Sequence, residues 1–466
     1  MRLSSILQNR MFKETLIYSI GSFGSRILSF LLIPFYTYFF TKKELGEYDL
    51  LITTISLFAP LVSLQLSDAT YRWLIDLDKR ARNTNDLSKI ITNSLLGYLV
   101  SMVVFAICFV IFIFFYPFKY NIYFLVILFL NGLLPFLQNI LRGSGETKAF
   151  AINGVITSFL IISFNVIFIY FCNFKIEGIL LANIIAYILA CSLILYKINI
   201  HKNFNIKFCD IGLLKKMLRY SLPLIPNLMS WWLISSASKY IIVHFLGSES
   251  NGIYAISTRL PGILVIINSV LILPLQDGIL KKESKLEDYR KFLYQFFKME
   301  FGLIMILIVL SPIFTKYILN ESFYESWRYM GFLFIGVGLN TLGAVLGLVY
   351  QKNLKTIKIT YTTLIGAVVS VIFSYVLIQF YGLMGLSFAY MFGFLIMFYI
   401  RFLDTKQSLN LNIGSLHIFI YISLLLGVNI ITLYLDFYKQ IILAVVVILL
   451  LLITNKKLIL NVITKN

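Results

Sequence analysis

The stretch ELGEYDLLITT, Glu44–Thr54, returns in loose form as SNGIYAISTRL, Ser250–Leu260. Superposing them aligns Gly46 with Gly252 and Tyr48 with Tyr254, at an offset of 206 residues. Two further pairs keep nearly that register. GILLANIIAYI from Gly178 lies opposite GLSFAYMFGFL from Gly385, aligning Ala182 with Ala389 at 207, and the turn GSGETKAF (143–150) lies opposite YQKNLKTI (350–357), also at 207. A weak repeat of this length is a sign of two related helical units joined in one chain, as in many membrane transporters.

The composition around these anchors says what each unit contains. Of 466 residues, 59% are hydrophobic and 13% charged, and the mean hydropathy is +0.87, far above a soluble domain. Apolar runs of about twenty residues follow one another, each long enough as a helix to cross roughly 30 Å of hydrocarbon. Fourteen are read, at roughly 15–40, 47–71, 90–115, 122–141, 150–172, 177–196, 220–246, 252–277, 292–315, 329–350, 359–380, 382–400, 413–434 and 440–454. The predicted fold is an all-α polytopic membrane protein. Because the repeat offset spans six helices, an even number, both copies run in the same direction, as two six-helix lobes related by an axis along the membrane normal. The predicted divisions are an N-lobe at 1–196, a basic linker at 197–219, a C-lobe at 220–402, and an extra helix pair with its tail at 403–466. Within the linker, LLKKMLRY reads as a short helix lying in the membrane interface.

Lys and Arg set the orientation. They crowd the N-terminus (Arg2, Arg10, Lys13) and the loops after spans 2, 6, 8 and 10, for example Lys79, Arg80, Arg82 and Lys89, or Lys281, Lys282, Lys285, Arg290 and Lys291. Odd-numbered loops hold few. Both termini are therefore expected in the cytoplasm, and the formal net charge of +19 is read as topology rather than as a nucleic-acid surface. The four cysteines show no metal-ligand spacing and no disulfide framework, the first apolar run lacks a cleavage site, and no metal or cofactor is expected.

Three cations stand inside the spans: Arg26 in the first, Lys239 in the seventh and Arg259 in the eighth. Arg26 is about 20 Å of helix from either interface, too deep to snorkel, and the other two are about 12 Å from the outer end. Helical spacing places Ser19, Ser22, Arg26 and Ser29 on one stripe, and Asn227, Trp231, Ser235 and Lys239 on another. Neither stripe suits lipid, and facing each other they would line a wet cavity. No acid is expected beside them at mid-depth. Asp68 has Arg72 four residues on, Asp277 has Lys281 at the same spacing, and Glu300 lies beside Lys298 near the inner end of its span. Each intramembrane cation costs about 2.5–3.5 kcal/mol, so a polyanionic ligand is the reading these residues favour. Bonds to backbone carbonyls, or acids lying at another depth, are the alternatives. Tyr36, Trp231 and Trp232 are candidates for stacking on sugars.

The six-plus-six-plus-two arrangement, the GEYDLLIT entry to span 2, the LRGSGETKA turn after span 4 and the YSLPLIPNLMSWWLISSASKYII opening of the second lobe resemble the Wzx-type polysaccharide flippases of the multidrug/oligosaccharidyl-lipid/polysaccharide (MOP) exporter superfamily. The resemblance covers essentially the whole chain. It implies export of an undecaprenyl-pyrophosphate-linked oligosaccharide from the cytoplasmic to the outer leaflet of the inner membrane, for O-antigen or capsule, with polymerase and glycosyltransferases as possible partners. A pyrophosphate fits the cationic residues, since guanidinium pairs with phosphate oxygens in bidentate geometry. The substrate-binding candidates are thus Arg26, Lys239, Arg259, Ser22, Ser29, Asn227 and Ser235. Asp68 is the one candidate for ion coupling. A lipid II flippase shares this chemistry, whereas a MATE-like multidrug antiporter would want carboxylates in its cavity. An enzyme acting on the same lipid would need catalytic residues on sizeable outer loops, and the longest here are about a dozen residues.

Overall fold

The computed structural model describes residues 30–77, 84–280, 286–352, 357–409 and 415–454. Described residues are helical almost throughout, with no strand among them. The helices are α1 (Phe30–Phe39), α2 (Lys42–Ser63), α3 (Leu66–Asp76), α4 (Thr84–Phe115), α5 (Asn121–Gly143), α6 (Thr147–Asn165), α7 (Ile176–Lys197), α8 (Ile200–Asn203), α9 (Ile211–Ser221), α10 (Leu224–Leu280), α11 (Leu286–Ile318), α12 (Trp327–Lys352), α13 (Ile357–Leu409), α14 (Ser415–Tyr434) and α15 (Phe437–Thr454).

Ten helical stretches are long and apolar enough to cross a membrane, and Phe30–Phe39 and Phe437–Ile453 are shorter apolar helices. Two of the ten hold two passes each. α10 is broken at Gly247, whose φ of 80° is open to glycine and costly for a residue with a Cβ, and α13 is broken at Gly382 with φ 55°. Thirteen of the fourteen predicted runs thus have a helix among the described residues, and the first, 15–40, is described only from Phe30 onward, as α1. The second differs in detail: it stops at Ser63, passes through Leu64 and Gln65 at positive φ, and resumes as the separate helix α3. Contacts between loops agree with alternate crossing, since even-numbered loops meet even and odd meet odd. Lys119 pairs with Glu177 at 3.4 Å, Lys197 with Glu146 at 3.8 Å and Lys42 with Glu325 at 3.0 Å, and the Lys316 ammonium sits 3.5 Å from the Phe437 ring centroid.

By their contacts the residues fall into two units: one of residues up to Leu32 with Leu50–Trp232, the other of Ile33–Asp49 with Leu233 onward. The first unit packs around Leu66, Phe136, Leu137, Ile140, Ile194 and Met217. The stretch expected to link the lobes is bound into it. Asn93 on α4 donates from Nδ2 to the Phe208 carbonyl at 2.9 Å and accepts at Oδ1 from the Asp210 amide at 2.7 Å. The Asp210 carboxylate in turn caps α9, accepting from the Leu213 amide at 3.1 Å. α9 is amphipathic: Met217 is buried, while Lys215, Lys216 and Arg219 remain exposed.

In the second unit, the start of α2 is fixed by a capping box in which the Glu44 amide donates to Thr41 Oγ1 at 3.2 Å and Glu44 Oε2 accepts from the Thr41 amide at 2.9 Å. One turn on, the glycines aligned by the repeat meet each other. A Cβ on Gly46 would overlap the Ser248 carbonyl oxygen, and a Cβ on Gly252 would overlap the Lys42 carbonyl oxygen. Lys42 and Ser248 are themselves separated by the repeat offset, so the contact is reciprocal. Asn251 Nδ2 donates to the Gly46 carbonyl at 2.8 Å across it. Close helix approach through small residues is the membrane substitute for a hydrophobic driving force.

Candidate functional site

The capping box and the glycine contact together set Asp49, three residues past Gly46, against α10. Lys239 comes from the segment before Gly247 and Arg259 from the segment after it, so the break at Gly247 folds two cations toward one carboxylate. The Lys239 ammonium lies 3.0 Å from Asp49 Oδ1 and 2.8 Å from Oδ2, and an Arg259 guanidinium nitrogen lies 3.9 Å from Oδ1. Asp49 and Lys239 side chains are 8% and 13% exposed, whereas Arg259 is 47% exposed. This corrects the expectation that no acid stands beside these cations. Asp49 is not among the acids weighed in the sequence; the packing of Ile33–Asp49 within the second unit makes it their counter-ion. The triad still carries one net positive charge, and its arginine has an open side. Such a group can hold an anion bearing two or more negative charges by exchanging one carboxylate for phosphate oxygens.

The other predicted residues fare differently. Arg26, Ser22 and Ser29 lie outside the described residues. Asn227 is on α10, with its side chain outside the described ones. Ser235 is exposed, with its hydroxyl 3.1 Å from that of Ser236. Trp232 donates from its indole N–H to the Thr53 carbonyl and Ser56 Oγ, each at 3.1 Å, so this edge of its ring is occupied by protein. Tyr36 packs edge-on to Tyr48 at 6.3 Å between centroids. Asp68 does not pair with Arg72, which instead reaches Asp76 at 3.4 Å; Asp68 Oδ1 accepts from Asn139 Nδ2 at 3.4 Å. Asp68 is exposed at the start of α3. The Asp277–Lys281 pairing falls outside the described side chains.

Glu300 is the second correction. Placed in sequence beside Lys298 near the inner end of its span, it is 0% exposed and is held by another residue. Asn268 Nδ2 donates to Glu300 Oε1 at 2.8 Å and to Thr341 Oγ1 at 2.9 Å. Arg401 is not among the residues that the sequence singles out. It is 1% exposed, and its guanidinium donates to Thr362 Oγ1 at 2.9 Å, the Gly343 carbonyl at 3.0 Å, the Ile359 carbonyl at 3.1 Å and Thr363 Oγ1 at 2.8 Å. Among the described residues, no group of three or more His, Cys, Asp or Glu side chains is placed to hold a metal ion.

Comparison with known proteins fits this architecture. A family model described as "Polysaccharide biosynthesis protein" matches residues 11–277, more than half of the chain. No curated protein sequence matches significantly. Among solved structures, the chain is similar to lipid II flippase MurJ in an inward closed conformation, with a TM-score of 0.69 and 16% identity over 95% of this chain and 100% of that one. It is also similar to an inward-facing multidrug resistance MATE family transporter of the MOP superfamily, with a TM-score of 0.68 and 18% identity over 83% and 94%. The Vibrio cholerae MATE transporter VcmN in its bent form gives a TM-score of 0.54 and 15% identity over 88% and 98%. At these identities the likeness is one of fold.

Proposed function

Because the chain belongs to the polysaccharide biosynthesis protein family, a family of multi-pass membrane proteins with the MOP fold, we propose that it carries an undecaprenyl-pyrophosphate-linked oligosaccharide from the cytoplasmic to the outer leaflet of the inner membrane. The observation that carries this reading is the Asp49–Lys239–Arg259 cluster, an intramembrane group with more cations than acids and an open guanidinium. In this reading the pyrophosphate takes the place of the Asp49 carboxylate on Lys239 and Arg259, Arg26 adds a third cation, and Ser22, Ser29, Asn227 and Ser235 offer hydroxyl and amide groups to phosphate and sugar. The polyprenyl tail stays in lipid. Access alternates between the two sides as the repeats rock, with the Gly46–Gly252 contact parting when the head group leaves outward. Asp49 then has a second role: by reclaiming the cations it expels the phosphate.

The test is a clean deletion in a strain lacking a paralogue. Surface polymer should be lost while lipid-linked oligosaccharide accumulates on the cytoplasmic leaflet. Normal polymer would remove the reading, and failure of peptidoglycan with intact surface polymer would assign lipid II instead.

The competition between carboxylate and phosphate makes a separate prediction. Asp49→Asn keeps the shape and removes the charge, so inorganic pyrophosphate should bind the purified protein about three- to tenfold more tightly, as expected for a charge-assisted pair relieved of its competitor. Transport should fall, because release slows. Titration calorimetry on folded protein measures the first and leaflet accessibility the second. Unchanged or weaker pyrophosphate binding would reduce Asp49 to a structural partner.

A further inference from the structure

Glu300 takes no part in the cluster around Asp49, and its surroundings ask for a ligand of their own. The residue is fully buried on α11, within a segment apolar enough to cross the membrane. Its Oε1 is held by Asn268, but among the described residues Oε2 has no hydrogen-bond partner, and neither has Asn268 Oδ1. Asn268 is itself only 2% exposed. The Asn268 amide is oriented by its partners: both N–H groups are used, one on Glu300 and one on Thr341, and the Thr341 hydroxyl donates its own hydrogen bond to the Val337 carbonyl at 3.0 Å. The donor chain therefore ends on Glu300 and supplies one of its two oxygens.

Among the described residues, no cation pairs with this carboxyl. On α12, the ionisable residues Arg328, Tyr329, Tyr350 and Lys352 lie at the helix ends, nine or more residues from Thr341. On α13, Arg401 spends its guanidinium on Thr362, Thr363, Gly343 and Ile359. On α14, Tyr421 stacks on Phe301 at 5.0 Å, and His417 lies one turn nearer the helix start. α15 carries no ionisable side chain from Ile441 to Thr454. Glu321, Tyr324 and Glu325 precede α12, on the far side of Arg328 from Thr341. On α10, Glu249, Tyr254 and Arg259 lie nine or more residues before Asn268. Tyr294 and Lys298 share α11 with Glu300. An ionised carboxylate left alone in such a place is very costly, and the usual resolution is to neutralise it. Ligand count decides by what. Among the described residues no group of three or more His, Cys, Asp or Glu side chains is placed to hold a metal ion, and a metal ion wants several oxygen ligands, whereas a proton needs only the one unmet oxygen.

We propose that Glu300, clamped by Asn268, is a proton-binding site: Oε2 carries a proton in the state described, and gives it to water when movement of α10, α11 and α12 opens the site. The O–H bond that breaks leaves its electron pair on the carboxylate, with Asn268 Nδ2–H still donating to Oε1. If the chain is the flippase proposed above, this is the point at which a proton gradient drives it; the binding of the proton itself does not rest on that reading.

The experiment is infrared difference spectroscopy on the full-length protein in liposomes, titrated with protons and without substrate. A neutral carboxylic acid band should be present at neutral pH in the parent and missing in Glu300→Gln, which reproduces the size of the protonated side chain and is expected to fold. Asn268→Leu should keep the band and shift its frequency, because the bond to Oε1 is gone. A band that persists unchanged in Glu300→Gln overturns the proposal, as does the same frequency in Asn268→Leu and the parent. Repeating the titration in NaCl and in choline chloride separates the two monovalent cations: a Glu300-dependent band erased by Na⁺ at neutral pH would make the resident ion a metal and likewise overturn the assignment.

Discussion

Gly252→Ala and Gly46→Ala should each lower transport about tenfold or more, and the double variant should fall no further than the worse of the two. The clash in each case is between a new Cβ and a backbone carbonyl, Lys42 for Gly252 and Ser248 for Gly46. No rotamer change relieves it, because neither atom belongs to a flexible side chain. The helices must separate, at a cost of about 1–3 kcal/mol for overpacking, and about 1.4 kcal/mol is a factor of ten. Separation also lengthens the Asn251 Nδ2–Gly46 carbonyl bond of 2.8 Å and shifts Asp49 one turn away, so the Lys239–Arg259 cluster loses its geometry. One movement relieves both collisions, and variants that share a single relaxation are not additive. Leaflet accessibility of the lipid-linked oligosaccharide, divided by folded protein from gel filtration, measures the effect. Losses that multiply in the double variant would mean two independent strains. Full activity in Gly252→Ala would show that the close approach serves nothing.

Arg401→Ala is expected to have the largest effect on stability, on the order of 3–5 kcal/mol, from a large buried side chain removed together with charge-assisted hydrogen bonds. The guanidinium ties three helical segments: Gly343 on α12, Ile359, Thr362 and Thr363 in the first half of α13, and Arg401 itself in the second half, beyond the break at Gly382. Gly343 and Gly347 leave the space that it fills, with Arg401 Nη1 3.5 Å from where a Cβ on Gly347 would sit. Arg401→Met restores most of the volume without donors and should recover part of the loss. Arg401→Lys offers one point charge in place of a planar fork and cannot reach all four acceptors. Thermal unfolding in detergent should rank Arg, then Lys and Met, then Ala. If Ala and the parent melt together, the hydrogen bonds seen here contribute nothing net.

Arg401 also shows where reading the chain without its tertiary contacts stops. An arginine at the end of an apolar run, with Lys406 five residues on, has the appearance of one more topological charge. Its burial depends on α12 presenting Gly343 and Gly347 to it, which hydropathy along α13 cannot report. Glu300 shows the same limit, since its nearest sequence neighbour of opposite charge is Lys298, while its hydrogen-bond partner, Asn268, is 32 residues away. Asp49 lies 190 residues from Lys239. A coulombic partner at that separation leaves no periodic trace.

What the sequence determined alone is what depends on local composition or on comparison of the chain with itself. Helix existence follows from the lengths of the apolar runs, because an unpaired peptide group is too costly in hydrocarbon for any other spanning form with this pattern. The order of crossings follows from counting those runs. The correspondence of Gly46 with Gly252 was legible in the repeat, whereas their meeting was decided by the tertiary structure. Only the tertiary structure decided that Ile33–Asp49 packs with the second unit rather than the first, that the basic linker is bound to α4 through Asn93, and that the cations of α10 have a counter-ion. These outcomes are set by which helix faces come together, and side-chain partnerships are the product of that packing rather than of any feature within a single span.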